Sequence, residues 1–361
     1  MNSALTSYLK ESGERILSYY KENPYFALTP AELFKGTFVY FERGGKRLRP
    51  AICRLSAGLL GGDEAEEAVT PLALALELYH NWTLVHDDMI DHDDTRRGKP
   101  AVHKLIATQF EESYGKAKAD EYGFDTALLA GDALHSASVY YLSKLSDTGF
   151  VPADVSLKIL SLLEGEYGPR LISGETVDTK NGLLYGSDAF QTLTREDVVQ
   201  MMAGKTGALF AISALSGAMV GLKSTDQKDK RIQALADFAE YCGLAFQLQD
   251  DILGITSTEE TLGKPICSDI REGKPTVLLL YSYEYATPEE KEFLCRVVGK
   301  SRDPEEILRA REIMLNRGVE KTKKDAQFYL EKAKEALSLF PDSPRKDLLE
   351  SWRSFMLNRN L

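Results

Sequence analysis

Five aspartates crowd the segment LVHDDMIDHDDTRRGKPAVH: Asp87, Asp88, Asp91, Asp93 and Asp94. On a helix, Asp87 and Asp91 share one face at i and i+4, where like charges repel by roughly 0.2–0.5 kcal/mol when exposed and by more when buried. A bound cation relieves that repulsion. Carboxylate oxygens without Cys or clustered His favour a hard ion, Mg²⁺ before zinc, and Mg²⁺ held by few carboxylates completes its shell with phosphate oxygens and water. A solvated acidic helix end is the plain alternative. A second cluster, FQLQDDILG, puts Gln247, Asp250 and Asp251 on one helical face at i, i+3 and i+4. Two acidic pairs flanked by apolar helix suggest two walls of one cavity, each holding metal, against the alternative of ordinary surface acids at a helix end.

Cations of the phosphate-binding types stand in compact groups: Lys46, Arg47 and Arg49 in GGKRLRP, Arg96 and Arg97 after the acidic run, Lys205 in AGKTG, and Lys264 and Lys274 in GKPICSDIREGKPT. Arg binds phosphate as a bidentate fork and Lys as a point charge, although each can equally form a surface ion pair of little consequence. His80 precedes Asp87 by two helical turns and can donate a hydrogen bond to a diphosphate. Two familiar motifs fail. A P-loop ending in Gly204-Lys205-Thr206 needs glycine where Val199 stands, and an EF-hand starting at Asp91 needs glycine where Arg96 stands. No Ser-His-Asp or Cys-His pattern marks a covalent nucleophile.

Helices must position these groups, because most long segments repeat with helical period and hairpin-bounded Val/Ile/Thr runs are missing. The clearest helix is expected from Thr70-Pro71, with Thr70 as cap, to about Asp91, buried on most sides because alanines fill the gaps between Leu72, Leu74, Leu76 and Leu78. Thr194 and Asp197 form a variant capping box for a helix to Phe210 that Gly204 and Gly207 weaken midway. A third helix is expected from about Asp229 to Leu253. Loops are expected at 92–102, 146–152, 178–193 and 256–276, with amphipathic helices from Pro288 onward broken at Pro341 and Pro344. No stretch reads as a linker, so 1–361 is expected to be one all-α domain.

The chain has 361 residues, 44 Lys plus Arg against 55 Asp plus Glu, and a formal net charge of −11. That balance excludes broad adhesion to nucleic acid or anionic lipid, so an anionic substrate must be caught locally. Four scattered cysteines, Cys53, Cys242, Cys267 and Cys295, indicate neither a zinc ribbon nor a disulfide framework. The N-terminus lacks a signal-peptide pattern and no run of 18 apolar residues occurs, so a cytoplasmic protein without stable membrane insertion is expected.

Taken together and in order, GGKRLRP, HNWTLVHDDMID with DDTRRGKPAVH, GETVD, AGKTG, FQLQDD and GKPICSDIREGKPT resemble the trans-polyprenyl diphosphate synthase family over about residues 40–280. The resemblance implies a helical bundle of the isoprenoid synthase type with a central cavity, the C-terminal helices of about 288–361 completing it. It implies Mg²⁺-dependent head-to-tail condensation of isopentenyl diphosphate with an allylic diphosphate, with three ions, Mn²⁺ able to substitute, and a homodimer. It assigns Asp87, Asp91 and Asp250 to the metals, with Asp88, Asp251 and Asp269 supporting them and Asp178 nearby. Arg96, Lys205 and Lys264 fall to the allylic diphosphate, Lys46, Arg49, His80 and Arg97 to isopentenyl diphosphate, Thr206 and Gln247 to the reacting carbons, and Lys274 to the periphery. The second acidic motif departs from the family pattern in carrying Gly254 where an acid is frequent, as archaeal-type geranylgeranyl diphosphate synthases do.

For chain length the resemblance points to Trp82, about 7.5 Å along the helix from Asp87, with Tyr79 one turn further, as the floor of the hydrocarbon pocket. Small Thr83 beside it favours geranylgeranyl over farnesyl diphosphate as product. Bare helix geometry places Trp82 about 140° around the axis from Asp87, so packing on a neighbouring helix is its alternative role. A terpene cyclase would lack GGKRLRP, and a noncatalytic synthase subunit would have eroded aspartates.

Overall fold

A computed structural model describes residues 3–25, 28–183, 192–257 and 267–357. The fold is all-α, and the strands among the described residues are the two-residue pair β1 (Thr95–Arg96) and β2 (Lys99–Pro100), antiparallel within the expected 92–102 loop. The chain divides into two compact units, residues 2–162 with 213–232 and residues 163–212 with 233–361.

The first unit holds α1 (Ser3–Glu22), α2 (Ala31–Glu42), α3 (Leu48–Ala68), α4 (Thr70–Ile90), α5 (Val102–Tyr114), α6 (Lys116–Ser143) and α7 (Ala153–Leu162). Helix α4 ends within a residue of expectation, and Leu72 through Leu76 together with Leu78 have no exposed surface, which is why its apolar residues do not fall into one stripe. Thr70 is not its cap. Val69 in helical conformation takes that place, while the Thr70 hydroxyl donates to Glu67 O at 2.7 Å and accepts from Arg54 Nη1 at 2.8 Å. Helix α6 runs antiparallel to α4: Ser138 Oγ donates to Ala75 O at 2.8 Å, His135 meets Trp82, and His86 Nε2 lies 3.2 Å from Leu128 O. Gly131 makes this approach feasible, because a Cβ there would sit 2.1 Å from His86 Nε2.

The second unit begins with a five-residue π turn (163–167) leading into α8 (Gly168–Leu183), then α9 (Arg195–Met202), a second π turn (203–207) and α10 (Ala208–Leu222), whose later part belongs to the first unit. The Thr194/Asp197 capping box forms as expected. The run Arg195–Leu222 is long and apolar enough to cross a membrane by composition, but its apolar window is 78% buried, as in a core helix. Then follow α11 (Lys230–Thr256), α12 (Ser268–Glu272), α13 (Val277–Glu284), α14 (Pro288–Val297), α15 (Pro304–Arg317), α16 (Val319–Leu337) and α17 (Pro344–Leu357). Ile252, Ile255, Cys267, Ile270, Leu278 and Leu294 share one apolar cluster, so α12 is anchored inside what the sequence suggests is a loop. Helix α8 likewise extends to Leu183, past the expected start of a loop at 178. Trp352 of α17 is fully buried against Phe210 and Phe238, at 5.6 and 5.9 Å between ring centroids.

Candidate active site

In the first unit the acidic residues occupy the end of α4, where Asp91 is the C-cap and its N–H returns to Asp87 O at 2.8 Å. Asp88 points inward. Its Oδ1 accepts from Arg96 Nε at 2.6 Å and from Nη2, and its Oδ2 accepts from the Tyr40 hydroxyl. Burial pushes the Asp88 carboxyl up while its bonds to Arg96 oppose that shift. Burial works against the charge of Arg96 too, but Asp88 more than compensates and holds it firmly protonated. Arg96 Nη2 also lies 3.3 Å from Asp87 Oδ2. Arg96 is therefore joined to the aspartate run by an ion-pair network.

The GGKRLRP segment turns into α3 through Arg47, whose φ of +49° is in the left-handed region that side chains rarely adopt. That turn lays the Arg47 guanidinium over the Phe41 ring at 4.5 Å and lets Nη2 donate to Phe41 O at 2.9 Å. Arg97, on the turn of the hairpin, donates to Gly44 O, which joins the second arginine of the hairpin to this loop. Burial lowers the pKa of Arg49 to about 10, and the charge of Glu77 opposes the shift. Burial lowers the pKa of Arg47 as well, and Glu77 opposes that shift too. Burial, followed by the charges of Arg49, Arg97 and Arg96, holds His80 well below its ordinary pKa, so its ring is neutral near pH 7 and offers one N–H. Lys46 is exposed beside these groups in sequence. Of the residues expected at one diphosphate, Arg49 and Arg97 thus bear electrostatically on His80, as does Arg96, expected at the other. Sequence reasoning missed Tyr40 and Glu77; a lone carboxylate inside LALALELYH was the available signal for Glu77.

In the second unit the π turn carries Lys205 and Thr206. Ala208 N–H reaches back five residues to Ala203 O, the wide turn that insertion of an extra residue into a helix produces. Backbones meet closely here: a Cβ at Gly174 of α8 would sit 2.2 Å from Lys205 N. This approach brings Lys205 Nζ to 2.7 Å from Asp178 and 3.0 Å from Glu175, an acid the sequence did not single out. Thr206 Oγ1 donates to Gln247 Oε1 at 3.3 Å. Burial, then the charges of Asp269 and Asp250, raise the Asp251 carboxyl well above its ordinary pKa, with Asp178 adding to the effect. Four carboxylates therefore share one electrostatic neighbourhood. Gly254 explains part of it, because its Cβ position would lie 3.4 Å from Asp269 Oδ2, so Asp269 supplies a carboxylate beside the residue where the motif lacks one. Lys274 pairs with Glu272 at 3.2 Å, while Lys264 lies outside the described residues.

Carboxylate oxygens suit a hard cation, and the mutual repulsion around Asp251 is what such an ion would relieve. Among the described residues no three His, Cys, Asp or Glu side chains are grouped to hold an ion unaided. Cys53 and Cys242 are buried with thiol pKa values pushed up by burial, to about 12 for Cys53, so neither is an activated nucleophile.

For chain length, the Tyr79 and Trp82 rings meet edge to face at 4.8 Å, and His135 of α6 lies 4.9 Å from Trp82 and 5.6 Å from Tyr79. Trp82 thus packs on a neighbouring helix while forming, with Tyr79, a continuous aromatic layer below the aspartates.

The Polyprenyl synthetase family matches residues 31–314. A geranylgeranyl diphosphate synthase of Saccharolobus solfataricus is 34% identical over 86% of this chain and 85% of its own length. A geranylfarnesyl diphosphate synthase of Aeropyrum pernix is 31% identical over 93% of this chain and 96% of its own. The crystal structure of a geranylgeranyl pyrophosphate synthetase from Pyrococcus horikoshii Ot3 superposes with a TM-score of 0.82 at 30% identity, covering 98% of each chain. With a family match across most of the chain, in agreement with the helical fold and the order of the motifs, the chain belongs to the polyprenyl synthetase family.

Proposed function

We propose that this enzyme condenses isopentenyl diphosphate head to tail with an allylic diphosphate, releasing a short-chain all-trans prenyl diphosphate, geranylgeranyl in preference to farnesyl diphosphate. The observation that carries the reading is the sorting of charge: arginines around a neutral His80 in one unit, and Lys205 amid carboxylates in the other. Asp87, Asp91 and Asp250 would hold Mg²⁺, or Mn²⁺ in its place, and the bound ions supply positive charge to the departing diphosphate. Few protein ligands per ion leave room for phosphate oxygens and water in each shell.

Arg96, Lys205 and Lys264 bind the allylic diphosphate, and Lys46, Arg49, His80 and Arg97 bind isopentenyl diphosphate. Heterolysis of the allylic carbon–oxygen bond leaves a carbocation that the isopentenyl double bond attacks, and released diphosphate takes the proton lost in forming the new double bond. No protein nucleophile enters. The Thr206 hydroxyl and Gln247 carbonyl, together with carbonyls released by the π turn, present partial negative charge to the cation, as preorganised dipoles do. Apolar surroundings exclude water that would quench it. Tyr79 and Trp82 close the tail pocket.

The partners are these two substrates and a second copy of the chain, with neither nucleic acid nor membrane, in the cytoplasm. The dimer reading rests on α6, which exposes Tyr122, Phe124, Leu128 and Leu129 near Tyr114. Incubating the purified protein with Mg²⁺, isopentenyl diphosphate and dimethylallyl, geranyl or farnesyl diphosphate, then identifying the prenyl product, tests the reaction. A twenty-carbon product is expected; hydrolysis or cyclisation without chain growth overturns it.

A further inference from the structure

Tyr40, near the end of α2, is 2% exposed, and nothing in its type or spacing marks it for chemistry. Its hydroxyl donates to Asp88 Oδ2 and accepts the backbone N–H of Val102 at 3.1 Å. Asp88 is 1% exposed, and its other oxygen is taken by Arg96. Both oxygens of the second aspartate are therefore committed inside the protein. Arg43, three residues beyond Tyr40, places its guanidinium 5.7 Å over the Tyr40 ring and donates to Pro100 O at 2.7 Å. Helix α2 thus holds the arginine hairpin at both ends: Arg43 at Pro100, and Tyr40 through Asp88 at Arg96.

We propose that Tyr40 is a positioning residue for the allylic substrate, acting through Asp88 to hold the Arg96 guanidinium where it meets the allylic diphosphate. This rests on the prenyl-transfer reading. An arginine side chain loses much rotamer freedom when it grips a ligand, and a fork already fixed on a carboxylate has paid that entropy before binding. A carboxylate as buried as Asp88 needs both oxygens hydrogen-bonded to keep one orientation, and Arg96 serves one of them. The Tyr40 hydroxyl serves the other. Without it, Oδ2 is buried and unpaired, the carboxylate is free to turn, and Arg96 loses the fixed partner that orients it. The same hydroxyl, bonded to the first N–H of α5, fixes the distance between α5 and α4 at this point.

The test compares Tyr40→Phe, Arg96→Ala and the double variant, with calorimetric titration of farnesyl diphosphate plus Mg²⁺ in the absence of isopentenyl diphosphate, so that no turnover is needed. Tyr40→Phe should weaken farnesyl diphosphate binding by about tenfold, the scale of one lost charge-assisted hydrogen bond. The dissociation constant of isopentenyl diphosphate, titrated in the same way without an allylic substrate, should stay within about twofold. In the Arg96→Ala background the Tyr40 change should add less than about twofold, because residues acting as one unit are not additive. Equal losses for both substrates, or full additivity with Arg96→Ala, would overturn the proposal. Should Tyr40→Phe fail to fold, Tyr40→Leu, which also removes the hydroxyl, takes its place with the same selective loss expected and the same overturning result. Selective, non-additive loss of farnesyl diphosphate binding in a protein that forms no prenyl product supports the positioning role and overturns the catalytic reading, so the two fail separately.

Discussion

Asp91 is the acidic residue whose removal separates the proposed metal role from stability. As the C-cap of α4 it sets a negative charge at the negative end of a helix dipole and four residues from Asp87, both unfavourable without a cation. Asp91→Asn should lower turnover by several orders of magnitude, yet leave the melting temperature of the metal-free protein unchanged or slightly higher. Asp87→Asn should show no such gain, because Asp87 already faces Arg96. Near-normal turnover of both variants at saturating Mg²⁺ would remove the metal assignment. His80 offers a second residue-level test. Its folded pKa lies well below 6.5, so at acidic pH the unfolded chain binds a proton that the folded chain resists. Its contribution to stability is therefore complete above about pH 6.5 and is lost as pH falls toward the folded value. His80→Gln should flatten the fall in melting temperature between pH 7 and pH 5; an unchanged slope would show that burial among the arginines does not govern this ring.

Between α4 and α6, one side-chain layer is the proposed floor for the hydrocarbon tail. Trp82 is braced by Tyr79 and His135, and His86 fits the notch left by Gly131. Trp82→Gly should lengthen the products by one or more isoprene units, and adding Tyr79→Ala should lengthen them further, as read by chromatography of the dephosphorylated prenols. An unchanged distribution from both folded, active variants would place the floor elsewhere. Gly131→Ala tests the same layer from α6. Its Cβ would meet His86 at 2.1 Å, so the ring or the helix must shift, at about 1–3 kcal/mol as overpacked cores usually show. Because His86 lies 5.9 Å from Trp82, the product distribution should move as well.

Taken whole, the chain carries a net charge of −11, so the proposed diphosphate sites depend on arginines gathered around His80 rather than on a general field. Tyr122, Phe124, Leu128 and Leu129, all exposed on one helix, are more apolar than solvent contact favours. Covered by a second copy, they should make the protein a dimer at micromolar concentration, and Leu129→Glu should shift it to monomer by sedimentation or light scattering. A wild-type monomer at those concentrations would refute the dimer.

Much of this protein is determined by its sequence alone, because helices and their charged faces are written within a turn or two of chain. The length of α4 follows from Pro71 at its start and an apolar run free of Gly and Pro, and the Thr194/Asp197 capping box and the shared face of Gln247, Asp250 and Asp251 follow from spacings of three and four. Tertiary structure decided what those spacings leave open: which partner each charged group finds. Asp88 reads like its neighbours in sequence but is drawn inward by Tyr40, 48 residues earlier. Lys205 meets Glu175 and Asp178 because two glycines from separate elements let backbones touch, and Asp269 stands beside Gly254 because α12 is anchored by apolar contacts rather than left as a loop. The physical reason is range. Local hydrogen bonding selects the helix, whereas burial, acting across the whole chain, selects which charges must share an interior and be paired there.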